Sequence, residues 1–283
     1  MQVVAVCGPT ASGKSGVADE ISGLLSETCG LWVTTVVVDS MQVYRELPEI
    51  TNQTRDRPAE LVGIVPVTHE WTVAEHRRRA RRVIEGSGAP AAVLDAGTGM
   101  YLNATVLDIP LAPKVPQELR RRAELAAVGA ENPRREARRI ELKLYGAPER
   151  GSIWEGDLLY DLTLIYLRPE RTVLDLAIDR RSERIVRRGI PEALELRRLL
   201  EAGAPVNPSV LGSIGVRELL AYLRGELSLE EAREKICVRT RHLARRQMRW
   251  FDKLSRILSG RAGVTVIRSP REALSRARDI IGA

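Results

Sequence analysis

Along its first hundred residues the chain alternates between short unbroken apolar runs and longer stretches where apolar residues return every three or four positions. "VVAVC" is an unbroken run, and from Ser15 to Leu25 the apolar residues recur at helical spacing. "LWVTTVVVDS" is a second β-rich run. In "TVAEHRRRARRVIEG", Val73, His76, Ala80, Val83 and Ile84 fall near one face with arginines around the rest, and Gly86 is placed to cap the end. "PAAVLDAGTG" reads as a third strand running into a glycine loop. Strands alternating with helices predict a parallel sheet, flanked by helices, with ligand-binding loops at the carboxyl ends of its strands.

The pattern changes between residues 110 and 150. "PLAPKVPQELRRRAELAAVGAENPRREARRIELKLYG" has helical spacing, many arginines and few large apolar residues, which predicts a small solvated insert. "LTLIYLR" then restores a strand, a helical series follows to about residue 257, and "GVTVIRSPREALSRARDIIG" adds one more strand and helix. The expected organisation is an α/β core over 1–109, a helical insert over 110–150, and the rest of the core with C-terminal helices over 151–283.

Composition narrows this picture. Hydrophobic residues make up 44% of the chain, enough for a core, but there is one Phe, so that core must be aliphatic. The formal net charge of +7 favours a polyanionic partner, although an arginine-rich chain also follows from base composition or thermal adaptation. Cys7, Cys29 and Cys237 stand apart, as do His69, His76 and His242, so reduced thiols and no zinc site are expected. No basic n-region opens the chain and no apolar stretch reaches membrane-spanning length, which suits a cytoplasmic, monomeric enzyme with no membrane partner.

The strongest chemical signal is "GPTASGKS" at residues 8–15. It fits G-x-x-x-x-G-K-[ST] with a strand before it and a helix after it, the context that motif requires. Gly8 and Gly13 let backbone amides turn inward, Lys14 supplies a point charge, and Ser15 at the helix N-terminus can ligate magnesium. Asp39 closes the second β-run, followed by polar Ser40 and Gln42. A carboxylate there can bind magnesium or act as a general base on an acceptor held over the loop. Thr98, in "DAGTGMYL", offers a hydroxyl from another strand end, or marks no more than a tight turn.

"GPTASGKS", "VVVDSMQVYRELPEITN", "GTGMYLNA", "SIGVRELLAYLRGELSLEEA" and "TRHLARRQMRWF" occur in the order, and at roughly the intervals, of the tRNA dimethylallyltransferases, also called tRNA isopentenyltransferases. The resemblance covers most of the chain outside residues 110–170. It implies a P-loop NTPase-like fold and transfer of a dimethylallyl group from dimethylallyl diphosphate to the exocyclic amine of an adenosine beside the anticodon. The diphosphate would lie on Gly8, Pro9, Thr10, Ala11, Ser12, Gly13, Lys14 and Ser15, with Mg2+ on Ser15 and Arg181 within reach. Lys14 and Thr10 would stabilise the departing charge, and Asp39 would take the amine's proton. Asp39, Ser40, Met41 and Gln42 match the segment that grips the flipped-out base, and Thr98 matches a substrate-contacting threonine. Arg120, Arg135, Arg138, Arg241, Arg245, Arg246 and Gln247 match positions that approach tRNA; the other reading of the C-terminal run is a solvated helix face.

Several positions depart from that family. The insert is shorter than in the bacterial enzymes, Ala59 and Glu60 replace a usual pair of histidines, Gln53 stands for a lysine and Ala177 for an arginine. "ITN" and "LVG" look more like adenylate isopentenyltransferases, so a free adenine nucleotide is the second acceptor to consider. A phosphate-loop kinase and a non-catalytic nucleic-acid-binding protein complete the alternatives. The kinase lacks a visible lid motif, and the binding protein has no need of Thr10, Lys14 and Asp39 together.

Overall fold

The computed structural model describes residues 1–147 and 152–281, except for the side chains at 134, 135, 280 and 281. The chain divides into two compact units, Leu107–Asp157 and the remainder. In the larger unit, β1 (Gln2–Cys7), α1 (Lys14–Cys29), β2 (Thr35–Val38), α2 (Pro48–Thr51), β3 (Ala59–Glu60), α3 (Val73–Gly86), β4 (Ala91–Ala96) and α4 (Gly99–Val106) come first. The smaller unit holds α5 (Gln117–Ala126) and α6 (Pro133–Leu144). The larger unit then resumes with β5 (Asp161–Leu167), α7 (Arg171–Arg188), α8 (Ile190–Glu201), α9 (Pro208–Leu211), α10 (Val216–Leu223), α11 (Leu229–Leu258), β6 (Gly263–Ile267), α12 (Pro270–Ser275) and α13 (Ala277–Ile281).

The six strands form one parallel sheet in the order β3-β2-β4-β1-β5-β6. This is the parallel α/β architecture the alternation predicts, in the P-loop NTPase-like form the resemblance implies. Val3 to Cys7 of β1 and Ala92 to Leu94 of β4 are wholly buried, as unbroken apolar runs in a doubly covered sheet should be. The core is aliphatic, with Phe251 packed 5.8 Å from the Tyr166 ring. Register sets the site: Cys7 pairs with both Ala96 and Tyr166, and Val38 pairs with Ala96. The chain therefore leaves β2, β4 and β1 side by side, at Asp39, Gly97 and Gly8.

Three local expectations shift. Only Thr35–Val38 of "LWVTTVVVDS" joins the sheet, because Gly30 (φ 68°) turns the chain out of α1 and the next residues are used in the return. Leu31 and Trp32 lie exposed on that return, with the Arg57 guanidinium 4.3 Å above the Trp32 ring. Helix α1 runs past Leu25 to Cys29. Helix α3 is capped at Ser87 rather than Gly86, and the left-handed residue is Gly88 (φ 69°). The C-terminal helix is broken in two, and the α12 end meets the phosphate loop: a Cβ on Gly13 would lie 2.7 Å from Cγ of Pro270.

The smaller unit is built on α5 and α6. Ala123, Ala127 and Ala137, with Ile140 against them, form its core, while Leu125 and Val128 are exposed. Among the described residues no helix is long and apolar enough to cross a membrane.

Candidate active site

The loop after β1 folds as its glycines allow. Gly13 has φ 82° and Ala11 has φ 65°, so the chain enters the left-handed region twice before α1 begins at Lys14. A side chain on Gly8 would meet the Leu167 carbonyl at 2.7 Å, which fixes glycine there. Thr10, Ser12 and Lys14 are all buried polar residues, and the Ser12 hydroxyl has no hydrogen-bond partner. Ala11 and Met248 both pack against a buried cluster of Leu174, Ile178, Cys237 and Ala244.

Asp39 sits one strand away from the loop's neighbour. Its Oδ1 accepts hydrogen bonds from the Met41 amide at 2.8 Å and the Gln42 amide at 3.3 Å, which folds the Ser40–Gln42 turn back on the carboxylate. Its Oδ2 accepts from the Thr98 hydroxyl at 3.5 Å, and the Thr98 oxygen accepts from the Ser40 amide at 3.3 Å. Gly97 lies between Asp39 and Lys14: a Cβ there would fall 2.7 Å from Asp39 Oδ2 and 3.6 Å from Lys14 Nζ. One residue without a side chain thus keeps a carboxylate and an ammonium on either side of the same opening.

Two further elements close on this centre. From α11, Gln247 accepts from the Thr10 amide at 2.8 Å through Oε1 and donates from Nε2 to the Gly97 carbonyl at 2.7 Å. It ties the two glycine loops together, and both ends of its amide are engaged within the protein. Trp250, one turn on, lies over Gly99, where any Cβ would overlap the indole. From α7, Arg181 donates to the Ile50 carbonyl at 3.2 Å. Burial lowers its guanidinium to about 10, Arg184 pushes in the same direction, and Asp39 opposes both.

The remaining candidates are dispersed. Arg241 is paired with Asp179 at 2.9 Å and Asp175 at 3.3 Å, both on α7, while Arg245 and Arg246 are exposed. In the smaller unit Arg120 pairs with Glu124 at 3.2 Å, and Arg138 pairs with Glu141 and donates to the Pro113 carbonyl at 3.3 Å. The Arg135 side chain lies outside the described residues. Met41 packs against a buried cluster around Val43 and Tyr44, and Gln42 is buried.

The family model described as IPP transferase matches residues 42–146 and 125–254. A curated tRNA dimethylallyltransferase of Rubrobacter xylanophilus is 76% identical over 287 residues, covering 100% of this chain and 99% of that protein. The chain belongs to the IPP transferase family. Another IPP transferase relative, the tRNA dimethylallyltransferase of Rickettsia felis, is 30% identical over 89% of this chain and 90% of its own. The fold matches the crystal structure of the tRNA isopentenylpyrophosphate transferase of Bacillus halodurans with a TM-score of 0.69 at 25% identity, over 99% of this chain and 96% of that one. It also matches a eukaryotic dimethylallyltransferase acting on tRNA with a TM-score of 0.73 at 21% identity, over 98% and 77% of the two chains.

Sequence reasoning about this IPP transferase missed two residues beneath the loop, Asp95 and Arg55. Ser15 donates to Asp95 Oδ2 at 2.7 Å, and Arg55 donates to the same oxygen through Nη1 at 2.7 Å and Nη2 at 2.8 Å. A signal was present: Asp95 is the one charged residue in the strand AAVLDA.

Proposed function

We propose that the chain moves the dimethylallyl group of dimethylallyl diphosphate onto the exocyclic N6 amine of an adenosine next to the anticodon of tRNA, releasing diphosphate. The observation that carries this reading is the placement of Asp39 and Lys14 on the two sides of Gly97. The bond from the prenyl carbon to oxygen breaks, its electron pair leaving with the diphosphate. A new bond forms from that carbon to N6, and the N6 proton passes to Asp39. Because Oδ1 is taken by two amides, Oδ2 is the oxygen suited to accept it.

The loop amides, Lys14 and Thr10 stabilise the leaving group, and preorganised donors of this kind supply a large share of enzymatic rate enhancement. Arg181, whose partner is a backbone carbonyl rather than a carboxylate, adds a cation on the Asp39 side. The site fits Mg2+: Ser15 offers a hydroxyl oxygen from the first turn of α1, and Mg2+ takes oxygen ligands while keeping waters and substrate phosphates in its remaining positions. Ser15 would hold it, and the ion would neutralise charge on the diphosphate. Ser40, Met41, Gln42 and Thr98 surround the acceptor base; Arg245, Arg246, Arg120, Arg135 and Arg138 bind RNA phosphates. Gln247 contributes by setting the loop rather than by touching RNA.

The name of the 76% identical relative and the exposed Arg245 and Arg246 favour tRNA over a free nucleotide. The test offers radiolabelled dimethylallyl diphosphate with Mg2+ to total tRNA and to AMP in parallel. Label entering tRNA is expected. Label entering AMP alone would replace the acceptor, and no transfer to either would remove the reading.

A further inference from the structure

Beneath the phosphate loop lies a charged group that the reaction above does not use. Asp95 is 1% exposed at the end of β4, and its Oδ2 collects three donors: the Ser15 hydroxyl and both terminal nitrogens of Arg55. Its Oδ1 has no partner. The Arg55 side chain is 5% exposed, and its Nε lies 3.5 Å from Asp19 Oδ1, one turn beyond Ser15 on α1. Asp19 Oδ2 accepts the Asp56 amide at 3.3 Å, so the segment carrying Arg55 is held against α1 at two points.

A carboxylate buried in a strand of small aliphatic residues is destabilising unless it is compensated, and packing gains nothing from it that an apolar residue would not give. Its effect on Ser15 is specific. A hydroxyl has one proton and two lone pairs, and on a helix it commonly donates back to the carbonyl four residues earlier. Here the proton is drawn down to Asp95, which leaves the lone pairs directed outward.

We propose that Asp95, backed by Arg55, is a positioning residue that orients the Ser15 hydroxyl to ligate a divalent cation on the bound diphosphate. This rests on the diphosphate reading of the loop. Arg55 supplies the countercharge and, through its two-nitrogen grip, stops Asp95 from turning to meet the cation itself. A purely structural role, tying residues 52–57 to α1, predicts effects on stability alone.

The test measures binding of inorganic diphosphate by calorimetry at stepped Mg2+ concentrations, using the full chain and its Ser15→Ala, Asp95→Asn and doubly substituted forms. Outer-sphere partners of metal ligands typically contribute about 10–100-fold in metal affinity. Asp95→Asn is therefore expected to raise the Mg2+ concentration for half-maximal diphosphate binding at least ~10-fold, without weakening binding in Mg2+-free buffer. The double variant should match Ser15→Ala. An unchanged Mg2+ midpoint in Asp95→Asn overturns the proposal, and so does a double variant weaker than Ser15→Ala, which would make Asp95 act independently of Ser15. If Asp95→Asn fails to fold, Arg55→Lys keeps the charge but loses the two-nitrogen grip. It should raise the same midpoint by a smaller factor, and no change would be equally fatal. Wild-type protein that binds no diphosphate at any Mg2+ concentration would instead sink the reading of the loop itself.

Discussion

Asp39 divides its work between its two oxygens. Oδ1 holds the turn of residues 40–42 through two amides, while Oδ2 faces Gly97 and Thr98. The two tasks are separable by substitution. Asp39→Asn retains an acceptor for the turn and removes the proposed base, so turnover should fall at least ~10²-fold, the usual scale for general-base catalysis, with the KM for the prenyl donor nearly unchanged. Steady-state kinetics with tRNA check this; an undiminished kcat would take Asp39 out of the proton transfer. His76 poses a different question at the same scale. It is wholly buried between the Trp71 and Tyr101 rings, neither ring nitrogen has a hydrogen-bond partner, and burial lowers it to about 4. Below the ordinary histidine pKa of ~6.5 the unfolded chain takes up a proton that the folded chain refuses until about pH 4, so stability falls as pH drops. Between pH 7 and pH 5 the loss is about 2 kcal/mol from this group. Melting curves of His76→Phe should be flatter than wild type over that window, and parallel curves would show that other groups dominate.

At the scale of elements, α11 is the part that joins the two glycine loops, by Gln247 to Thr10 and Gly97 and by Trp250 over Gly99. Gly99→Ala forces the indole aside, and overpacking of this kind costs ~1–3 kcal/mol. The variant should melt lower and bind the prenyl donor less well, because Gln247 lies one turn away, and Trp250→Leu should restore part of both. Loss of stability with donor KM intact would confine the α11 contact to scaffolding. The same helix shows what could and could not be read from the chain. "GPTASGKS" was legible because its turn is local: each glycine answers a backbone demand within eight residues. The C-terminal "TRHLARRQ" run was not, because Arg241 is committed to Asp175 and Asp179 on α7 and Gln247 to two loops near the other end of the sequence. Nothing in residue spacing separates those two from exposed Arg245 and Arg246. Asp95 stood out as a lone charge in an apolar strand, yet its partner Arg55, in the connection between α2 and β3, is brought to it only by the tertiary fold. The second strand was overread for the opposite reason: Leu31 and Trp32 have strand composition but are needed to turn the chain.

For the molecule as a whole, excess positive charge acts at long range. Many of its arginines are engaged by neighbouring carboxylates, as by Glu124, Glu136 and Glu230, and such exposed pairs add little stability. Exposed Arg245 and Arg246 are better placed to replace counterions on RNA. Reversing both to Glu should weaken tRNA binding and reduce the slope of log K against log salt by about two, one for each phosphate left without its arginine. Filter binding at several salt concentrations reads this, and an unchanged slope would assign both residues to bare surface. A last consequence follows from Pro270 lying against Gly13 and from β6 closing the sheet beside β5. The glycine loop is encoded within residues 8–15, yet part of its wall arrives with residues made long after it. On the ribosome, a nascent chain halted short of β6 would carry the motif intact with a slack cradle, and its grip on diphosphate would come only as that late stretch clears the exit tunnel and docks.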